Sequence, residues 1–136
     1  MGNMNFEGLS NIGQINIPVH DIDTSVKFYR DSLGMNFLFK VPNMAFFDCG
    51  GIRILLAVPE APEFDHPSSI FYFKVDDIHS SSDTLQKRGV LLTKQPHLIA
   101  EMSDHDLWMS FFKDPDGNTL ALMSEVARPD PLGSAA

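Results

Sequence analysis

Apolar positions along this chain change period in a fixed order, and then the order starts again. From Ile12 to Val19 they alternate with polar or small residues, the period-2 pattern of a half-buried strand, with Pro18 suited to a strand end or an edge. Val26, Tyr29 and Leu33 recur at helical spacing, with Asp23 placed to cap the segment and Gly34 to stop it. Three strands are predicted next, at Phe37 to Val41, Met44 to Asp48 and Arg53 to Val58, broken by Pro42-Asn43 and Gly50-Gly51. The succession is βαβββ.

The second round opens with Ile70 to Val75, rich in β-branched and aromatic residues, and continues into a helix from about Ile78 to Arg88 before Gly89. Three consecutive serines make that helix intrinsically weak. Val90 to Thr93, Trp108 to Phe112 and Thr119 to Met123 complete another βαβββ, with Asp114-Pro115-Asp116-Gly117-Asn118 as the tight turn of the last hairpin. Lys94 to Asp106 reads as a long loop, of a length that often covers or lines a site. The repeat is visible in the residues themselves: Val19-His20-Asp21-Ile22 returns 56 positions on as Val75-Asp76-Asp77-Ile78, and Gly34 returns 55 positions on as Gly89. One domain over residues 1–136 is expected, with unit one at about 10–58, a proline-bearing linker at 59–69, unit two at about 70–125 and a loose tail at 126–136. Neither unit is long enough to bury its apolar face well alone, so the two are expected to share one core or to exchange halves with a partner chain.

Composition narrows the partners. Eighteen acidic against ten basic residues give a net charge of -8, which argues against a phosphate-tracking surface and so against nucleic acid. The single cysteine, Cys49, cannot form an intrachain disulfide, and without a leader or a membrane-length apolar run the expectation is a cytoplasmic protein with no membrane partner.

Paired βαβββ units, the V-x-D-I step into a helix bearing Phe28-Tyr29 and Leu33-Gly34, and the closing Phe112-Lys113-Asp114-Pro115-Asp116-Gly117-Asn118 together resemble the vicinal-oxygen-chelate superfamily. This is the group of glyoxalase I, bleomycin-resistance proteins, fosfomycin-resistance transferases and extradiol dioxygenases. The resemblance covers roughly residues 10 to 125 and implies an α+β fold, a cup-shaped mixed β-sheet with flanking helices. It also implies a divalent ion held by His, Gln or Glu at four positions, which carry over here to Gln14, Leu55, Ile70 and Ala121. One amide and three hydrocarbon side chains make a poor donor set, so no metal and no cofactor are expected in that cup.

Strand alternation from those four positions predicts that Asn16, Arg53, Tyr72, Lys74, Met109, Phe111, Thr119 and Met123 line the same faces. Gln14, Asn16, Arg53, Tyr72, Met109 and Phe111 are the candidate ligand-binding residues. Arg53 suits a bidentate clamp on a carboxylate or phosphate, and suits equally an ion pair with an acidic neighbour. Tyr72 can orient a ligand or simply fill space, and Trp108, alternating away from Met109, is expected to pack on a helix. His97, Glu101 and His105 have a spacing that would put all three on one helical face. They are the candidate catalytic or metal-binding residues, and a solvated polar loop is the plainer alternative. Cys49 reads as a turn thiol, and no role falls to His20, His66 or His79.

The leading functional expectation is a metal-independent, glyoxalase-like protein that binds a small, partly apolar organic molecule between its two units as a homodimer. A lyase or isomerase using His97, Glu101 or His105 for acid-base chemistry is the alternative, and a dimerisation or regulatory module with a collapsed cavity is the third.

Overall fold

The computed structural model describes residue 6 and residues 8–129. The expectations for 1–5, 7 and 130–136 lie outside the described residues. β1 (Gln14–Pro18) leads into α1 (Ile22–Lys27), which continues as a π-helical turn over Phe28–Ser32, and β2 (Asn36–Val41), β3 (Met44–Cys49) and β4 (Ile52–Ala57) follow. A short 3-10 turn at Pro62–Phe64 interrupts the linker. The second unit repeats the order with β5 (Phe71–Lys74), α2 (Ile78–Lys87), β6 (Leu92–Glu101), β7 (His105–Lys113) and β8 (Thr119–Ala127).

Each unit makes a four-stranded mixed sheet, ordered β1-β4-β3-β2 in the first and β5-β8-β7-β6 in the second. In both, the opening strand lies parallel to the closing one and the other pairs are antiparallel. The βα connection makes this possible: a strand that enters a helix can return to the same sheet only by a crossover, whereas the later strands are close enough for hairpins. Asn43 takes the left-handed conformation (φ 64°) in the tight β2–β3 turn, a conformation that its short polar side chain tolerates.

Three expectations are corrected. The cap of α1 is Asp21, not Asp23: Asp21 is extended and its carboxylate accepts from the Thr24 amide, whereas Asp23 stands in the first turn and pairs with Lys40. The segment Lys94 to Asp106 is not a loop, because β6 runs to Glu101 and turns directly into β7. Its register against β7 slips between Leu92 and Lys94, between Lys94 and His97 and between Leu98 and Ala100, so alternation is broken although pairing persists. Val126 and Ala127 belong to β8 rather than to a loose tail.

Helix α1 packs on β3 and β4, and α2 on β6, β7 and β8. The helix-bearing faces of both sheets belong to one core, in which Ile17, Tyr29, Phe47 and Leu56 of unit one join Ile78, Leu85, Phe112 and Leu120 of unit two. Removing one of the fully buried rings, as in Phe112→Ala, should cost about 3–5 kcal/mol. The closing turn of unit two is keyed into unit one by hydrogen bonds. The buried Asp114 carboxylate accepts from the Tyr29 hydroxyl at 2.8 Å and from the Asn118 side-chain amide at 2.8 Å. Its other oxygen accepts from the backbone amides of Asp116 and Asn118, and the Asn118 side-chain amide also donates to the Pro18 carbonyl at 3.1 Å.

Candidate functional site

Because the two sheets share a core through their helix-bearing faces, their other faces turn outward. Cross-strand pairing fixes what each carries. On the first sheet, Gln14 pairs with Arg53 and Asn16 with Leu55, while Asp48 and Phe46 stand opposite Arg53 and Leu55 on the other side. On the second, Tyr72 pairs with Ala121, Phe111 with Ala121, and Met109 lies between Met123 and His97. The sequence-predicted binding residues therefore share outward faces, but Gln14, Asn16 and Arg53 stand on one sheet and Tyr72, Met109 and Phe111 on the other. The expected cup between two units could form within one chain or between chains, and within this chain the units meet through their opposite faces.

Each outward face carries aromatic rings. Phe39 and Phe46 stack at 4.5 Å between centroids, and the Arg53 guanidinium lies 6.0 Å from the Phe46 ring centroid. Phe46 and Phe39 were not singled out in the sequence, although counting the β3–β4 hairpin back from Leu55 would have placed Phe46. The linker's 3-10 turn lays Phe64 beside Asn16, Met44 and Leu55, where a cavity of about 250 Å³ opens. On the second sheet, Phe111 meets Tyr72 edge-on at 6.2 Å and His97 at 6.3 Å.

The candidate catalytic residues are only partly together. His97 and His105 fall on the outward face of the β6–β7 hairpin, whereas Glu101 pairs with Asp106 on the opposite face. The reading that put all three on one helical face is corrected, because the backbone there is extended and successive side chains alternate. His97 Nδ1 lies 2.9 Å from the Gln95 carbonyl; a carbonyl only accepts, so Nδ1 carries the proton and Nε2 presents a lone pair when the ring is neutral. His105 sits between carboxylates, Nδ1 at 2.7 Å from Asp104 and Nε2 at 3.5 Å from Glu125, and Lys74 reaches Glu125 at 3.0 Å. The His105 ring holds the Asp104 carboxyl below its ordinary range, first by hydrogen bonding and then by charge. Trp108 faces the other way and packs against His79 of α2.

Gln14, Leu55, Ile70 and Ala121 offer one amide and three hydrocarbon side chains, divided between two sheets. Among the described residues, no group of three or more His, Cys, Asp and Glu side chains is disposed to hold a metal ion, and no helix is long and apolar enough to cross a membrane.

Residues 11–122 match the model of the Glyoxalase/Bleomycin resistance protein/Dioxygenase superfamily. The chain belongs to that superfamily. The chain is 32% identical to the protein YraH of Bacillus subtilis strain 168, over 80% of this chain and 94% of that protein. Glutathione transferase FosA of Serratia marcescens is 25% identical over 84% of this chain and 80% of its own. In three dimensions the chain superposes on the lactoylglutathione lyase of Agrobacterium tumefaciens with a TM-score of 0.69, at 22% identity, covering 86% of this chain and 95% of the other. Shared superfamily membership accounts for the paired mixed sheets, and the side chains on them are this chain's own.

Proposed function

We propose that this glyoxalase-superfamily chain binds a small, partly apolar organic molecule on its outward sheet faces, without a divalent ion at Gln14, Leu55, Ile70 and Ala121. The observation that carries the reading is the exposure of aromatic rings on those faces: Tyr72 is 44% and Phe39 51% accessible, and each touches a second ring rather than standing alone. Clustered exposed aromatics beside a few polar groups suit a ligand that presents both a hydrocarbon part and a charged part. Arg53 supplies the cation. A lone amide and three aliphatic side chains would leave an ion's lost hydration uncompensated, which supports the metal-free reading.

A homodimer belongs to the same reading, because a second copy would cover the outward faces that one chain leaves open. A monomer in sedimentation at micromolar concentration would remove that part. The names of FosA and of the Agrobacterium lyase point to glutathione conjugates as the first ligands to try. In calorimetric titration with S-lactoylglutathione, Arg53→Ala and Phe111→Ala should each weaken binding by about 1–3 kcal/mol. Unchanged affinity in both variants would defeat the assignment. The lyase or isomerase reading rests on one observation, the fixed tautomer of His97 beside Phe111. Under it, His97→Ala should lower turnover of the same compound and leave its affinity nearly intact.

A further inference from the structure

The two units dock on each other unequally. Where the closing turn of unit two meets the helical segment of unit one, the Phe28 ring lies 6.5 Å from Phe112 and the Tyr29 hydroxyl reaches Asp114. The repeat carries Ser25, Phe28 and Tyr29, by the offset of 56, onto Ser81, Thr84 and Leu85 of α2. A benzyl and a phenol in the first helix are thus replaced by a hydroxyethyl and an isobutyl in the second. The counterpart turn, Cys49-Gly50-Gly51, offers no carboxylate in the place of Asp114. The result is a cavity of about 370 Å³ where unit one faces α2, lined by Leu33, Met35 and Cys49 on one side and by Leu85, Phe112 and Leu122 on the other.

We propose that this cavity is a second small-molecule site, distinct from the outward faces, and that it takes a one-ring aromatic carboxylate. Its volume lies within the range of about 300–1,000 Å³ common to ligand pockets. Much of its wall is hydrocarbon and aromatic, and a ring seated between such walls gains dispersion contacts and leaves water. The ring would stand in for the two that the π-helical turn after α1 possesses and α2 lacks. Ser81 and Thr84 bring hydroxyls to the helix side, and Arg88 brings the charge. Arg88 Nη1 donates to the carbonyls of Ser32 at 3.2 Å and Asp31 at 3.5 Å, which holds the guanidinium at the cavity. Its fork of five N–H donors leaves others for a carboxylate.

The test uses the full chain and phenylacetate, followed by amide chemical shifts and by alkylation of Cys49, the only thiol in the sequence. Burial and the Asp48 carboxylate push that thiol up, so the labelling is run at alkaline pH. Shifts should concentrate at Leu33, Met35 and Leu85, and phenylacetate should slow the alkylation. Thr84→Phe should abolish both effects without lowering the melting temperature, and Ser81→Leu serves as a second filler if that variant folds poorly. Arg88→Gln should weaken binding about tenfold, the loss of one charge-assisted contact of about 1.4 kcal/mol. Replacing phenylacetate with 2-phenylethanol should weaken it to a similar degree. No shifts at millimolar phenylacetate, binding that survives both fillers, equal binding of the uncharged alcohol, or shifts centred on Tyr72 and Phe111 would each overturn the proposal. None of these outcomes depends on whether the outward faces bind S-lactoylglutathione.

Discussion

Two turns close the two units, and they are opposites in chemistry. Asp114 to Asn118 carries a buried carboxylate that accepts four hydrogen bonds and reaches into unit one, whereas Asp48 to Gly51 leaves open space beside α2. The same hairpin in the same fold is therefore a fastening in one unit and a cavity wall in the other. A repeat conserves backbone path while leaving each copy free to choose what fills the space between them.

The sharpest way to break that contrast is Asp114→Ala. With four donors orphaned at a site that is 5% exposed, urea unfolding should show a loss of about 3 kcal/mol or more. A carboxylate removed from the other turn, Asp48→Ala, should cost no more than about 1 kcal/mol, because the partly exposed Asp48 carboxylate fastens nothing across the units. Equal losses would erase the distinction. Tyr29→Phe removes one of the four bonds and should cost about 1–2 kcal/mol in the same measurement. Burial, and then the Asp114 carboxylate, push the Tyr29 hydroxyl far up, so it remains a donor throughout the neutral range.

A smaller effect should appear in the pH dependence of stability. The His20 ring places Nδ1 at 2.8 Å from Asp116 and Nε2 at 3.1 Å from Asp65, tying the closing turn of unit two to the linker. Both nitrogens can donate only in the imidazolium, and the hydrogen bonds that the ring gives to Asp116 and then to Asp65 raise the pKa above 6.5. The protonated ring is thus the form the fold favours. Its contribution is complete below the unfolded value of about 6.5 and is lost as pH climbs through the higher folded value. Melting temperatures taken from mildly acidic to mildly alkaline pH should decline through that window, and His20→Gln should flatten the decline. A slope unchanged in the variant would remove His20 from the inter-unit contact.

Much of this could be read from the residues in order. The repeat, all eight strands in outline, both helices and the alternation that gives Arg53, Tyr72 and Phe111 the faces they share with Gln14, Leu55 and Ala121 follow from local pattern, because side-chain period is a local property. The β6–β7 hairpin escaped because three register slips scramble its alternation between Leu92 and Ala100, and Pro96 adds the look of a loop. The outward turn of the two sheets escaped for a different reason. It is set by contacts such as Tyr29 to Asp114 and Asn118 to Pro18, which lie 85 and 100 residues apart and which no periodicity announces. His20 had no assigned role on the same ground, since its carboxylate partners come from the linker and from the far turn.

The π-helical turn after α1 also absorbs a difference in length between the two units. Between the V-x-D-I step and the closing glycine, unit one holds one residue more than unit two, which is why the offset falls from 56 to 55. A helix whose two ends are already committed cannot lengthen by one residue without rotating everything beyond it. It can instead bulge, and the Leu33 amide bonds to the Phe28 carbonyl five residues back, at 2.9 Å. Helix α2 has no such bulge. Phe28 opens the bulge and Tyr29 lies within it, the two residues whose rings fill the contact with unit two. The one-residue difference between the two copies thus falls where their packing partners differ most.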